Sequence, residues 1–133
     1  MEKEQIIAVM SGRRLFEGAS PQDLGDLVDH GEVVSIKKGD HMIEQGKIGE
    51  AVWVLLDGKV SVIENESEPQ ELDSPGTILG EISAISHTAA TATVRAASDL
   101  SALRIPHRNF HTALTSSQKL ASSVLRSMSK YLN

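Results

Sequence analysis

Gly80-Glu81-Ile82-Ser83 is the stretch of this chain best equipped to do chemistry. Gly80 follows a β-type run and opens a short helical turn. The N–H groups at the start of such a turn have no partner within it and, aided by the helix dipole, attract anions. A glycine there lets a ligand come close to the main chain. Glu81, on the same turn, can accept hydrogen bonds from sugar hydroxyls. A few residues on, the small side chains of Ala89, Ala90 and Ala92 leave room for something beside them.

Other constellations are poorer. The five histidines are His30, His41, His87, His107 and His111. His107 and His111 stand four apart on an expected helix, a spacing compatible with zinc. Two ligands without a third read more simply as a solvated helix face. A cupin-like metalloenzyme needs several His and Glu on facing strands, and only His41 falls in an expected strand, so that reading is the weakest. No G-x-S-x-G or H-E-x-x-H is present. Glu64, Glu66, Glu68, Glu71 and Asp73 lie together with no base among them, as in a solvated hairpin loop. Arg13-Arg14 reads as a surface pair. The expectation is a protein that is not an enzyme, with no metal and no cofactor.

Several elements must position the Gly80 turn. Ile6, Ile7 and Met10 form a short apolar stripe. Ser20-Pro21-Gln22-Asp23 is a strong helix start, with Ser as N-cap, Pro in the first turn and Asp favoured by the dipole. Leu24, Leu27 and Val28 follow at helical spacing, and Gly31 closes the segment. From Glu32 to Arg104 short β-rich runs alternate with glycine turns. They lie at 33–36, 41–44, 52–56, 59–63, 71–72, 77–79, 91–96 and 101–105. Asp57-Gly58, between two of them, predicts a hairpin. The last stretch returns to helix, with Phe110 and Leu114 four apart and Ser116 or Ser117 as a cap. Ala121, Leu125, Met128 and Leu132 step by 4, 3, 4, either a face packed on the chain's own barrel or a dimer seam. The predicted fold is α+β, mainly β: an eight-stranded β roll or jelly roll flanked by N-terminal and C-terminal helices, one domain over 1–133.

The segment from Leu79 to Ala96 resembles the phosphate-binding cassette of the cyclic-nucleotide-binding domain family, roughly F-G-E-L-A-L-L-x-x-x-P-R-A-A-T-V-R-A. Gly80-Glu81-Ile82-Ser83 matches its start, and Thr91-Ala92-Thr93-Val94-Arg95-Ala96 its end, at equal spacing. Lys38-Gly39-Asp40 with Gln45-Gly46-Lys47-Ile48-Gly49-Glu50 is similar to the family's turn pattern. Val54 to Val62 is similar to its strand–Gly–strand segment, and Leu15-Phe16 to its leading pair. The resemblance spans roughly residues 13–132. It implies that Glu81 holds a ribose 2′-hydroxyl, that Gly80, Ile82 and Ser83 supply amides to a cyclic phosphate, and that Thr91 lies on the purine side. Ala90 and Ala92 complete the implied site for cAMP or cGMP. Tyr131 on the last helix is the candidate to meet the base.

The departure lies at the centre of the motif. Ala90 stands where the family has its phosphate-binding arginine, and Ala89 where it has proline. Losing a charged partner from a desolvated phosphate costs about 2–5 kcal/mol, or roughly 30- to several-thousand-fold in affinity. Arg95, five residues on, is expected on the opposite face of its strand. His87 and Lys47 are the candidates to replace the missing cation. Two readings follow: a sensor module with weak or altered nucleotide binding, or an interaction or dimerisation module that has lost it.

Composition narrows the partners. The net charge of −5 speaks against duplex nucleic acid and anionic membranes. Phe16, Trp53, Phe110 and Tyr131 are the only aromatics, too few for a base-stacking platform. There is no cysteine and no apolar run long enough for a membrane span or secretory signal, so a cytoplasmic address is expected. If these 133 residues are the whole protein, the signal is expected to pass to a protein partner or to self-association through the last helix.

Overall fold

The computed structural model describes residues 1–128. The element order is α1 (Lys3–Ser11), a 3-10 turn (Arg14–Phe16), α2 (Pro21–Asp29), β1 (Glu32–Ile36), β2 (His41–Ile43), β3 (Ala51–Asp57), β4 (Val60–Ile63), β5 (Gln70–Leu72), β6 (Ile78–Leu79), α3 (Glu81–Ser86), β7 (Thr93–Ala96), β8 (Leu100–Pro106), α4 (His107–Ser116) and α5 (Gln118–Met128). The strands form two four-stranded sheets, β1-β8-β3-β6 and β2-β7-β4-β5, every pairing antiparallel. This is the predicted roll between flanking helices.

The caps follow the sequence chemistry. Ser20 accepts from the Asp23 N–H at 3.1 Å, and the Asp23 carboxylate reaches back to the Ser20 N–H. Burial tends to raise the Asp23 pKa. Hydrogen bonds from the Ser20 backbone, Ser117 and the Ser20 side chain, with the charge of Lys119, outweigh it and hold the carboxyl below its ordinary value. Ser117 caps α5 by accepting from the Leu120 N–H at 3.1 Å.

Two apolar clusters share one sheet. Side chains alternate along a strand, so β3 sends Val52, Val54 and Leu56 toward the helices and Leu55 into the roll. β8 does likewise, with Leu103 and Ile105 toward the helices and Leu100 and Ala102 inward. The two strands pair from Ala51 opposite Pro106 to Asp57 opposite Ser101. Ile6, Met10, Phe16, Leu24, Leu27, Phe110, Leu120 and Val124 cover the outer face, and all are essentially buried.

Two sequence expectations need correction. Asp57-Gly58 does not turn a hairpin. β3 and β4 belong to different sheets, and the dipeptide is a corner between them. The positive φ of 100° at Gly58 suits the glycine, but β8 already holds the edge of β3 on which β4 would pair. The hairpin is instead β4–β5, closed by the exposed acidic loop at 64–69. The packed face of α5 also differs from the expected seam. Leu120, Ser123 and Val124 are buried, and Leu125 is 60% exposed. The Ser123 hydroxyl is shared between the Leu15 and Glu17 carbonyls, which fixes the helix rotation against the 3-10 turn. The side chain of Met128 and all of Leu132 and Tyr131, named in the sequence reading, lie outside what is described.

A Cβ added at Gly58 would lie 2.6 Å from the Leu100 Cβ and 2.7 Å from the Asp99 carbonyl oxygen. Gly58→Ala is expected to destabilise the chain by roughly 2–4 kcal/mol, from positive-φ strain and overpacking together. Urea unfolding of the variant and the parent measures it.

Candidate ligand-binding site

At the end of β6 the backbone turns sharply into α3. Gly80 takes φ 85°, and a Cβ there would sit 3.0 Å from the Ala51 carbonyl oxygen and 3.2 Å from the Ile43 Cδ1. Glycine is therefore needed twice over, for its left-handed conformation and for its approach to β3. Six residues of helix follow. The N–H groups of Glu81, Ile82 and Ser83 belong to its first turn and lack acceptors four residues back within it. The chain returns through 87–92 to β7.

Side chain and backbone together hold this loop. The buried Ser83 hydroxyl donates to the Thr88 carbonyl at 2.7 Å and accepts from the Gly49 N–H at 3.3 Å. Ala90 donates its N–H to the Lys47 carbonyl, and its own carbonyl accepts from the Gly46 N–H, both at 2.9 Å. The Gln45 N–H donates to the Thr93 hydroxyl at 3.0 Å. The turn between β2 and β3 is thus tied to both ends of the returning loop.

Between these parts lies a cavity of about 200 Å³. Gly80, Glu81, Ile82, Ser83, Ala89, Ala90, Thr91 and Ala92 all line it. So do Ile43, Val62, Ile78, Leu79 and Val94, an apolar floor. The sequence reading named none of these five as site residues. The alternation of β2, β4 and β7 places Ile43, Val62 and Val94 inside, and β6 adds Ile78 and Leu79, but pairing across the roll is needed to bring them to one place. Among the described lining residues Glu81 is the only ionisable one, and it is half-buried.

Among the described residues no basic side chain lines the cavity beside Ala90. Arg95 lies exposed beside the buried Val94, on the outer face as its strand position predicts. The two expected substitutes are corrected by the geometry. Lys47 contributes its carbonyl to the loop, while its ammonium is exposed and lies 3.1 Å from the Glu44 carboxylate. His87 turns away from the cavity and stacks on His111. The solvated face expected for His107 and His111 is also corrected. Both are half-buried, and the His111 ring nitrogen Nε2 is 2.7 Å from the Ala84 carbonyl oxygen. Among the described residues no group of three or more acidic, histidine or cysteine side chains is placed to hold a metal. No helix among them is long and apolar enough to cross a membrane.

A fold of two four-stranded antiparallel sheets with a glycine-led short helix beside an inter-sheet cavity defines a ligand-sensing β roll. The cyclic nucleotide-binding domain family model matches residues 33–117, and the chain belongs to that family. An uncharacterized ABC transporter ATP-binding protein of Mycobacterium tuberculosis is 30% identical over 87 residues, 62% of this chain and 26% of that protein. The chain therefore spans about a quarter of such relatives. Among solved structures, the sensor domain of the transcriptional regulator DNR from Pseudomonas aeruginosa superposes with a TM-score of 0.74 at 22% identity, covering 96% of this chain and 93% of that one. Catabolite activator protein from Thermus thermophilus gives 0.76 at 20% identity, over 90% of this chain and 58% of that one. The domain is a regulatory module, not a catalytic one.

His107 stands behind the cavity wall. A Cβ added at Gly49 would lie 3.8 Å from the His107 ring and 3.9 Å from the Ser83 hydroxyl. The His107 Nε2 is buried without a hydrogen-bond partner among the described residues. Burial pushes the His107 pKa down. A hydrogen bond with the Ala51 backbone opposes this, and the nearby His111, His87 and Arg104 reinforce it. The folded state then binds this proton less tightly than the unfolded one, so stability rises with pH. Its contribution is complete above the ordinary value of 6.5 and is lost as pH falls below that. The urea midpoint is expected to fall from about pH 7.5 to about pH 5, and His107→Leu to flatten that fall.

Proposed function

We propose that this domain senses a cyclic nucleotide, cAMP or cGMP, bound weakly or with altered specificity at Gly80–Ser83 and Ala90–Ala92. Occupancy is passed on by movement of the C-terminal helix. The observation that carries this reading is the cavity lining. The cassette residues surround one concavity, yet Ala90 stands where the family has its arginine, and among the described residues no basic side chain lines the space. In this reading Glu81 meets the ribose hydroxyls, and the main-chain amides of Gly80, Ile82 and Ser83 meet the phosphate. The cavity volume of about 200 Å³ is below the roughly 300–1,000 Å³ of most small-ligand pockets. It suits the sugar and phosphate, with the base lying outside. Contacts from α3 to α4 and from α4 to α5 offer a route to the last helix.

Calorimetric titration with cAMP and cGMP tests the reading. The parent is expected to bind weakly or below detection. Ala90→Arg is expected to gain at least about tenfold from one charge-assisted contact. Tight binding by the parent would show that another group supplies the charge, and no gain in the variant would mean that the niche no longer admits a nucleotide.

One observation favours the second reading, an interaction module. Leu125, 60% exposed on α5, is a large apolar side chain left over after the helix has packed. If a second copy covers it, light scattering will show a dimer that Leu125→Glu dissociates.

A further inference from the structure

The first turn of α3 lines the cavity, and its last turn meets α4. At that second contact three histidines converge. The His111 Nε2 faces the Ala84 carbonyl oxygen at 2.7 Å. A carbonyl can only accept, so Nε2 carries the hydrogen, and Nδ1 is the atom that takes a further proton. His87 ends α3 in the left-handed region at φ 55°, its N–H donating to the Ser83 carbonyl at 3.0 Å. Its ring lies flat on His111, centroids 5.2 Å apart and planes within 2°. The next residue, Thr88, accepts the Ser83 hydroxyl, which in turn holds the Gly49 N–H. The stack therefore sits one residue from the bond network that shapes the cavity wall.

Charged groups of both signs lie on the elements around this contact. His107 and the exposed Arg108 lie on α4 with His111, and Arg104 acts on His107 from β8. From the turn before β3, Glu50 accepts the His107 N–H through its carbonyl, and its carboxylate lies 3.7 Å from Arg104. From α2, His30 offers its carbonyl to Asn109 and its ring to the Asp26 carbonyl. On α3 itself the acid is Glu81, on the cavity side. A proton added to both rings turns the flat stack into two like charges side by side.

We propose that the His87–His111 stack, with its hydrogen bond to Ala84, is a pH-operated latch between the ligand niche and the C-terminal helices. It is closed while the rings are neutral and opens when both carry charge. Histidine makes that change between about pH 5 and 8. Opening frees His87 from a conformation that non-glycine residues rarely hold. Thr88 shifts with it, Ser83 loses its acceptor, and α3 separates from α4. The latch belongs to the unliganded chain and does not depend on which ligand fills the cavity.

Amide hydrogen exchange by NMR on the full chain without ligand, corrected for intrinsic rates, tests it across about pH 5–8. Protection at residues 84–88 is expected to fall at least about tenfold on acidification. His111→Gln retains a donor for Ala84 without a titrating charge. His87→Asn tolerates the left-handed turn and removes the stack from an exposed position. Both are expected to remove the part of the fall at 84–88 that exceeds the fall in the rest of the chain, where His107 lowers stability as pH falls, and His41→Gln, exposed on β2, to follow the parent. A fall in the parent no larger at 84–88 than elsewhere, or a full parental response in either latch variant, would overturn the proposal. Because His87 is exposed, its variant keeps the test open even if His111→Gln does not fold.

Discussion

Val52, Val54 and Leu56 leave β3 on one side and Leu55 on the other, and β8 answers with Leu103 and Ile105 against Leu100 and Ala102. A strand pair apolar on both faces cannot stand against water on either. Each fully buried aliphatic side chain contributes about 1.5–3 kcal/mol when covered and forgoes it when exposed. One face is covered by the second sheet, which closes the roll. The other needs α1, α2, α4 and α5, so none of these helices is an accessory to the β fold. The same constraint turns Asp57-Gly58 into a corner: the chain must leave the shared sheet to supply the strand that covers it.

The ligand niche is a by-product of that closure. The sheets meet along their apolar faces, and the floor of the cavity is the outer margin of the inner core, through Ile43, Val62 and Val94. The proposed binding site adds the insertion between β6 and β7, whose residues Gly80–Ser83 and Ala89–Ala92 line the same space. Its charge balance is unusual for a phosphate site: a carboxylate, main-chain donors and no cation among the described lining residues. Main-chain donors favour an anion only modestly beside a charged partner, so the niche depends more than usual on shape.

α3 faces two ways. It is short, and intrahelical bonds alone would not hold it. Its position is set by Ser83 on one side and by His87 and His111 on the other. Such an element has few ways to move without moving its neighbours. α4 continues directly from β8, and α5 is anchored to the 3-10 turn through Ser123. α3 packs on α4 and α4 on α5, which is the route to the C-terminal helices that the proposed signalling uses.

By itself the sequence determined the local decisions. The Ser20 cap, the apolar spacing of α2, the short strands with their glycine turns and the Gly80 opening all depend on neighbours a few residues apart. The cassette residues, and Ala90 where the family has an arginine, were legible through resemblance to the family's short local motif. Only the tertiary structure decided what depends on distant partners. It set which strands pair across Asp57-Gly58, which face of α5 is buried, and that Lys47 holds the loop through its carbonyl. It also brought three histidines, far apart or on a nominally solvated face, to one joint. Strand period and helix spacing specify which side chains share a face; they do not specify what that face meets, because that is fixed by closing the whole roll at once.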